Sequence, residues 1–289
     1  MAVWTFGSIN IDHVYRVPHL PRAGETLAAH EYSMGLGGKG ANQSVAAARA
    51  GARAVHIGAV GPEGRWARDM LDDYGVDIAH VAIAEMPSGH AIINVDPAAE
   101  NAIVIFSGAN HSFTAETVGE ALAFAHPGDT LLLQNETSAQ ADAARIGKEM
   151  GLRVIYSAAP FLVSSVKAVL PHVSMLVMNE GEAAELRAAF GQMPEIDMIV
   201  TRGGDGAEWL SPGRQTIRVP AFRVTPVDTT GAGDCFTGTL AAALDAGLEP
   251  AAAMRRASAA AAIQVTRPGA AQAMPSVDEV DAFLARNPT

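Results

Sequence analysis

The sequence predicts an α/β fold: three layers, α/β/α, around a central, mostly parallel sheet, with a small β-sheet beside it. Three observations predict this. From residue 110 onward, short apolar runs alternate with Ala-rich or amphipathic stretches, the pattern of strands feeding helices that cover both faces of a parallel sheet. Segments of mixed alternation around 12–34 and 90–107 do not fit that scheme and form a small sheet of their own. The 289 residues suffice for one large domain over 1–289, and no linker, repeat or low-complexity segment divides them.

The elements follow in order. AVWTFGSI (2–9) is a buried strand ending in Gly-Ser. ETLAAHEYSM (25–34), HAIINVDP (90–97) and NAIVIFSG (101–108) read as strands, with D-P-A-A-E-N (96–101) as a turn between the last two. ANQSVAAARAGA predicts a helix from Ala41 with Gly51 as its C-cap. A helix near 114–125, the strand DTLLLQ (129–134), a helix near 138–150, the strand LRVIYS (152–157), a short helical stretch and the strand VSMLVM (173–178) come next. The helix EGEAAELRAAF (180–190) precedes the strand EIDMIVTRGG (195–204). CFTGTLAAALDAG (235–247), PAAAMRRASAAAAIQVT (250–266) and SVDEVDAFLARN (276–287) close the chain as helices.

Composition narrows the function. The formal net charge is −11 and the twenty Lys and Arg residues are scattered, which argues against nucleic acid as the main partner. No apolar run is long enough to span a bilayer, and MAVWTFGSINID lacks the pattern of a secretory signal, so the expected location is the cytoplasm. Cys235, the single cysteine, excludes an intrachain disulfide and reads as a packing residue. The nine histidines show no ligand spacing, and Met34 and Met178 read as packing residues. A chain this acidic that binds a polyphosphate must screen it locally, with a divalent cation, backbone N–H groups and a few placed cations.

Two glycine constellations stand out. In MGLGGKGAN (34–42), Gly35, Gly37 and Gly40 spell G-x-G-x-x-G. The preceding AAHEYSM is short and polar, and no acidic residue ends the strand about 20 positions on, which disfavours a dinucleotide turn. A phosphate loop fails as well, because Gly40 stands where Ser or Thr should follow the lysine. A tight turn into a helix remains open beside a ligand-binding role. The second constellation, DTTGAGD (228–234), runs into an apolar helix. Gly231, Ala232 and Gly233 are small enough for an anion to approach the free N–H groups of a helix start, and Asp234 in the first turn can accept a proton from an attacking hydroxyl. Simple capping by Asp228 or Asp234 is the competing reading.

GSINIDH (7–13), GGKGANQSVAAARAGA (37–52), QNE (134–136), NEGE (179–182), TRGGDGA (201–207) and DTTGAGDCFTG (228–238) together resemble, in order, the motifs of the ribokinase-like (PfkB-type) carbohydrate kinase family over nearly the whole chain. GGKGANQ is similar to its ribokinase branch. The resemblance implies a small β lid, from 12–34 and 90–107, closing over a sugar. It implies sugar contacts from Asp12 and Asn42, a pocket lined by Gly38 and Lys39 and completed by Glu136, and an anion hole at Gly231, Ala232 and Gly233 with Asp234 as base. It places Mg²⁺ near Asn179 and Glu182, and ATP beside Thr201, Gly203, Gly206, Gly233 and Ser258. It also implies a potassium ion near Asp228, Thr230, Gln264, Arg267, Gly269 and Ala273, held largely through carbonyl oxygens and fixing the shape of the anion cradle. The implied activity is transfer of the γ-phosphoryl of ATP to the 5-hydroxyl of D-ribose. Another pentose, a ketohexose or a nucleoside as acceptor, or a sensing protein without catalysis, are the alternatives. A homodimer through lid edges is the implied partner. YSAAP (156–160), Ser258 and a short interval between Glu182 and Thr201 depart from the family pattern. The role of Lys39, toward sugar or toward phosphate, stays open.

Overall fold

The computed structural model of the chain describes residues 1–98 and 100–288. Of the turn expected at 96–101, Ala99 lies outside the described residues. The elements are β1 (Ala2–Phe6), β2 (Asn10–Arg16), β3 (Glu31–Gly37), α1 (Lys39–Arg49), β4 (Arg53–Val60), α2 (Arg65–Asp73), β5 (Asp77–Ile83), β6 (Gly89–Val95) and β7 (Asn101–Phe106). Then come α3 (Ala115–Leu122), β8 (Thr130–Gln134), α4 (Gln140–Glu149), β9 (Arg153–Ser157), α5 (Val163–Val169), β10 (Met175–Asn179), α6 (Glu180–Phe190) and β11 (Asp197–Thr201). β12 (Ala207–Leu210), β13 (Ile217–Val219), α7 (Ala232–Asp245), α8 (Pro250–Gln264) and α9 (Val277–Arg286) complete the described residues.

A nine-stranded sheet runs in the order β13-β12-β11-β10-β9-β8-β1-β4-β5, parallel from β11 to β5 and antiparallel at the β11-β12-β13 edge. A four-stranded sheet, β3-β2-β6-β7, stands apart from it. Strand alternation explains the layers. In β8, Leu131 and Leu133 pack with Trp4, Phe6 and Tyr156 under α3 to α6, while Leu132 packs with Val3, Ile155 and Phe236 under α7 and α8. Each such fully buried side chain contributes about 1.5–3 kcal/mol, so both faces of the sheet are sealed. Among the described residues no helix is long and apolar enough to cross a membrane.

Several boundaries differ from expectation. The strand expected over 25–34 begins at Glu31 and runs on through the glycines to Gly37, where Gly35 pairs with Asp12 and Gly37 with Asn10. Apolar alternation misplaced it because an edge strand carries little core pattern; Met34, expected to pack, is 50 % exposed there, while Met178 is buried. α1 begins at Lys39, two residues before Ala41. β5 and the β12–β13 hairpin carried no distinct sequence signal, being short and half-exposed; α2, which is amphipathic, was not among the expected helices.

Candidate active site

The strands β8 and β1 end side by side, and the chain returns to their carboxyl ends from opposite directions: through β2 and β3 into α1, and from β8 into residues 135–139. Such a switch point is where open α/β sheets hold ligands. The start of α1 can reach it because Gly7 and Gly40 touch backbone to backbone; a Cβ on Gly40 would lie 2.5 Å from the Gly7 backbone. Gly238 performs the same service on α7: a Cβ there would collide with the Gln43 carbonyl, so its absence lets α1 and α7 pack closely. The first glycine constellation therefore serves close packing of a helix against a strand end.

That packing delivers α1's polar face to Asp234. Asn42 Nδ2 donates to Asp234 Oδ2 and Gln43 Nε2 to Asp234 Oδ1, each at 3.0 Å. Gln134 Nε2 in turn donates to Gln43 Oε1 at 2.8 Å, fixing which way that amide points. Asp234 is buried, and burial raises its pKa, with Lys39 and the two amides opposing. Glu136 accepts from the Ser8 hydroxyl and from the Lys39 backbone N–H at 3.1 Å. Asp12 reaches in from β2, and Gly37 leaves it room: a Cβ there would strike the Asp12 carboxyl. Burial, reinforced by the Glu136 carboxylate and opposed by Lys39, pushes Asp12 up to about 7. The Lys39 ammonium sits amid Asp234, Glu136, Glu182 and Asp12; burial works against its charge, but these four carboxylates outweigh it and raise its pKa. The structure thus brings Asp12, Lys39, Asn42, Glu136 and Asp234 together, with Gly38 capping α1 at φ 93°.

On the other side of Asp234 lies a cavity of about 610 Å³, within the range of small-ligand pockets. Thr201, Gly203, Gly206, Gly233 and Ser258 all line it, and it reaches Ala232 and Gly233 at the start of α7. Gly231 caps that helix in the left-handed region (φ 78°), and the N–H groups of its first turn have no preceding carbonyl within the helix to bond. One is engaged: Ala232 N–H donates to Thr229 O at 3.2 Å. Helix dipole and remaining N–H groups suit an anion, and the apolar walls suit a flat ring, so a nucleoside polyphosphate fits.

Asn179 and Glu182 do not line this cavity. They form a reciprocal cap on α6, Asn179 Oδ1 accepting from Glu182 N–H at 2.9 Å and Glu182 Oε2 from Asn179 N–H at 2.8 Å. Burial nonetheless raises the pKa of Glu182, and the charges of Lys39 and Asp234 act on it from the neighbouring site. Among the described residues no three His, Cys, Asp or Glu side chains gather as a metal site. Magnesium fits in the manner common for nucleotides, carried on phosphate oxygens and waters with one or two carboxylates beside it.

Potassium does not fit the residues as they stand. Asp228, Thr230, Gln264 and Gly269 do converge, but the carbonyl oxygens of Thr230 and Gly269 both accept from Gln264 Nε2, at 2.7 and 3.0 Å. Two carbonyl oxygens of the expected cation site are thus taken by a side-chain amide.

The sequence reading missed Gln43, Gln134 and Ser8. The first stands four residues after Lys39 and so on the same helical face, but spacing alone does not mark it as a site residue. Phe222, Val224 and Pro226, which wall the cavity from an irregular segment, carried no pattern at all. Cys235 is buried, and burial pushes its thiol up to about 12, as a packing residue requires.

A buried carboxylate at a helix N-terminus, between a polar pocket and a nucleotide-sized cavity, is an arrangement suited to phosphoryl transfer to a small polyol. The chain belongs to the pfkB family of carbohydrate kinases, whose sequence pattern matches residues 2–277. It is 34% identical to a ribokinase of Haemophilus influenzae over 296 residues, covering 96% of each chain. It is 31% identical to a deoxyribokinase of Salmonella typhi over 307 residues, covering 99% of this chain and 100% of that one. A solved structure of Arabidopsis thaliana ribokinase complexed with ribose and ATP superposes with a TM-score of 0.85 at 27% identity, over 98% of this chain and 99% of that one.

Proposed function

We propose that the chain transfers the γ-phosphoryl group of ATP to the 5-hydroxyl of D-ribose. The observation that carries this reading is Asp234, buried and oriented by two amides where the polar pocket meets the cavity at the start of α7. The ribose and ATP of the Arabidopsis relative support the choice of ligands. Asp12, Asn42 and Glu136 hold sugar hydroxyls, with Gly38 beside them, and the four-stranded sheet that carries Asp12 acts as the lid within a single domain over 1–289. Asp234 takes the proton of the sugar hydroxyl while that oxygen attacks the γ-phosphorus in line and the bond to the β-phosphate oxygen breaks, releasing ADP. N–H groups of the Gly231–Asp234 turn stabilise the transferring group. Thr201, Gly203, Gly206 and Ser258 border the nucleotide. Asn179 and Glu182 lie toward the magnesium ion, which neutralises phosphate charge when bound. Lys39, among carboxylates of both sides, adds a point charge on the path between sugar and phosphate.

Exposed Ile103, Val104, Ile105 and Phe106 on β7, and Tyr32 and Met34 on β3, are edge-strand residues of the lid and support a homodimer through it. A buried reduced thiol and the need for ATP fit the cytoplasm. A panel of D-ribose, 2-deoxy-D-ribose, D-fructose and inosine, each with ATP, tests the assignment. Ribose is expected to give the highest kcat/KM; a faster competitor replaces ribose as the substrate, and no turnover of any of them makes the chain a binding protein.

A further inference from the structure

Two side chains clamp the turn that precedes α7, and together they satisfy both backbone groups of two residues. Asp228 Oδ1 accepts from Thr230 N–H and Asp228 Oδ2 from Gly269 N–H, each at 2.9 Å. Gln264 Nε2 donates to the carbonyl oxygens of the same two residues. The loop after Gly269 packs against the turn as well: a Cβ on Gly231 would lie 3.0 Å from Ala270 Cβ. Segment 264–270 is thereby tied to the helix cap that faces the phosphate site.

Gln264 is completely buried, so its amide has no solvent to compensate a wrong orientation. Were the amide turned over, Oε1 would face two carbonyl oxygens at hydrogen-bond range, a repulsive arrangement. The NH₂ group, with two hydrogens diverging toward two acceptors, is the end that fits. The arrangement leaves Oε1 buried without a partner. A side chain that accepts this cost gains a fixed positive end of a dipole between two converging carbonyls, the position a large monovalent cation would take when carbonyl oxygens replace its hydration shell.

We propose that the Gln264 amide replaces the monovalent cation, holding the 228–231 turn in its anion-binding shape, so that the chain works without potassium. The proposal rests on the kinase reading for its activity readout, but not for its stability readout. The experiment compares the full chain in potassium chloride and in tetramethylammonium chloride of equal ionic strength, with the best substrate of the sugar panel, alongside Gln264→Ala and Gln264→Glu. In the parent, kcat is expected to change by less than about twofold between the salts, and the thermal midpoint is expected not to rise with potassium. Gln264→Glu, which sets a carboxylate oxygen against the two carbonyls, and Gln264→Ala, which empties the place, are expected to lose about tenfold or more in kcat in tetramethylammonium and to recover in potassium. Their melting temperatures should rise with potassium and not with tetramethylammonium, a signal that stands even if no sugar on the panel is phosphorylated. Potassium activation or stabilisation of the parent beyond about twofold or a clear upward shift overturns the proposal. So does a loss in both variants that potassium fails to restore, which would make Gln264 a packing residue only.

Discussion

As the proposed base, Asp234 would have to be ionised to accept a proton, yet it is buried, and two amide donors reconcile these demands. Asn42 and Gln43 supply the hydrogen bonds that keep the carboxylate charged, while burial keeps its affinity for a proton above the ordinary range. Asp234→Asn is expected to lower kcat by about 10²–10⁴-fold with little change in sugar KM; steady-state kinetics on the folded variant checks this, and parent-like kcat would remove Asp234 as the base. In the parent, kcat/KM should fall as pH drops through the raised pKa of this group. Two other groups, fully buried His56 and half-buried Asp12, contribute to the acid response of the fold with opposite signs. His56 takes a hydrogen bond from Ser44 on Nδ1 (2.7 Å) and donates from Nε2 to Gly7 O (3.2 Å), and burial pulls its pKa from 6.5 to about 4. The unfolded chain therefore protonates first, and this stabilisation, full above about pH 6.5, is lost as pH falls toward 4, up to about 3 kcal/mol in all. Asp12, pushed up to about 7, is protonated first in the folded chain, so its contribution grows as pH falls from 7 toward 3.8. Asp12→Asn should remove that compensation: urea unfolding at pH 7.5 and 5 is expected to show a steeper acid loss in the variant than in the parent. An unchanged difference between the two pH values would contradict the assigned Asp12 shift.

At the level of elements, α1 does most to assemble the site. Its first two turns present Lys39, Asn42 and Gln43 on one side, and its glycines bring that side against β1. Gly40→Ala would drive a methyl into the Gly7 backbone, so a loss of about 1–3 kcal/mol in unfolding free energy, together with reduced kcat, is expected from chemical denaturation and kinetics on the same sample. A fully stable and fully active Gly40→Ala chain would mean the close approach is dispensable. The element scale also shows where reading the sequence stopped short. Asn42 and Lys39 were legible because they sit in a distinctive motif; Gln43 was not, since an amide on a helical face is ordinary until a carboxylate from a helix some 190 residues away is known to oppose it. N-x-x-E at 179–182 was legible as a pattern, but only the structure shows it closing a capping box on α6. β5 and the β12–β13 hairpin were missed because half-buried, short strands lack a clean period, whereas α2, with Trp66, Ala67, Met70 and Leu71 at helical spacing, was legible but missed.

For the whole molecule, the β7 edge of the small sheet leaves apolar side chains of both its faces exposed. Ile103, Val104, Ile105 and Phe106 are each at least half exposed on an edge strand that leaves backbone groups unpaired. Light scattering is expected to give twice the chain mass for the parent and the single-chain mass for a Val104→Lys, Phe106→Lys double variant; a monomeric parent at micromolar concentration would end the dimer proposal. The sequence by itself determined the alternating α/β order, the buried strands and the two glycine constellations, because periodicity and glycine placement are local and follow from backbone geometry. The tertiary structure decided which side chains from distant segments meet: Gln43 and Asn42 on Asp234, Asp12 beside Lys39, and the Gln264 amide between the Thr230 and Gly269 carbonyls. Those meetings depend on how closely two helices and a strand end can approach, and that distance is set by packing in three dimensions rather than by any spacing along the chain.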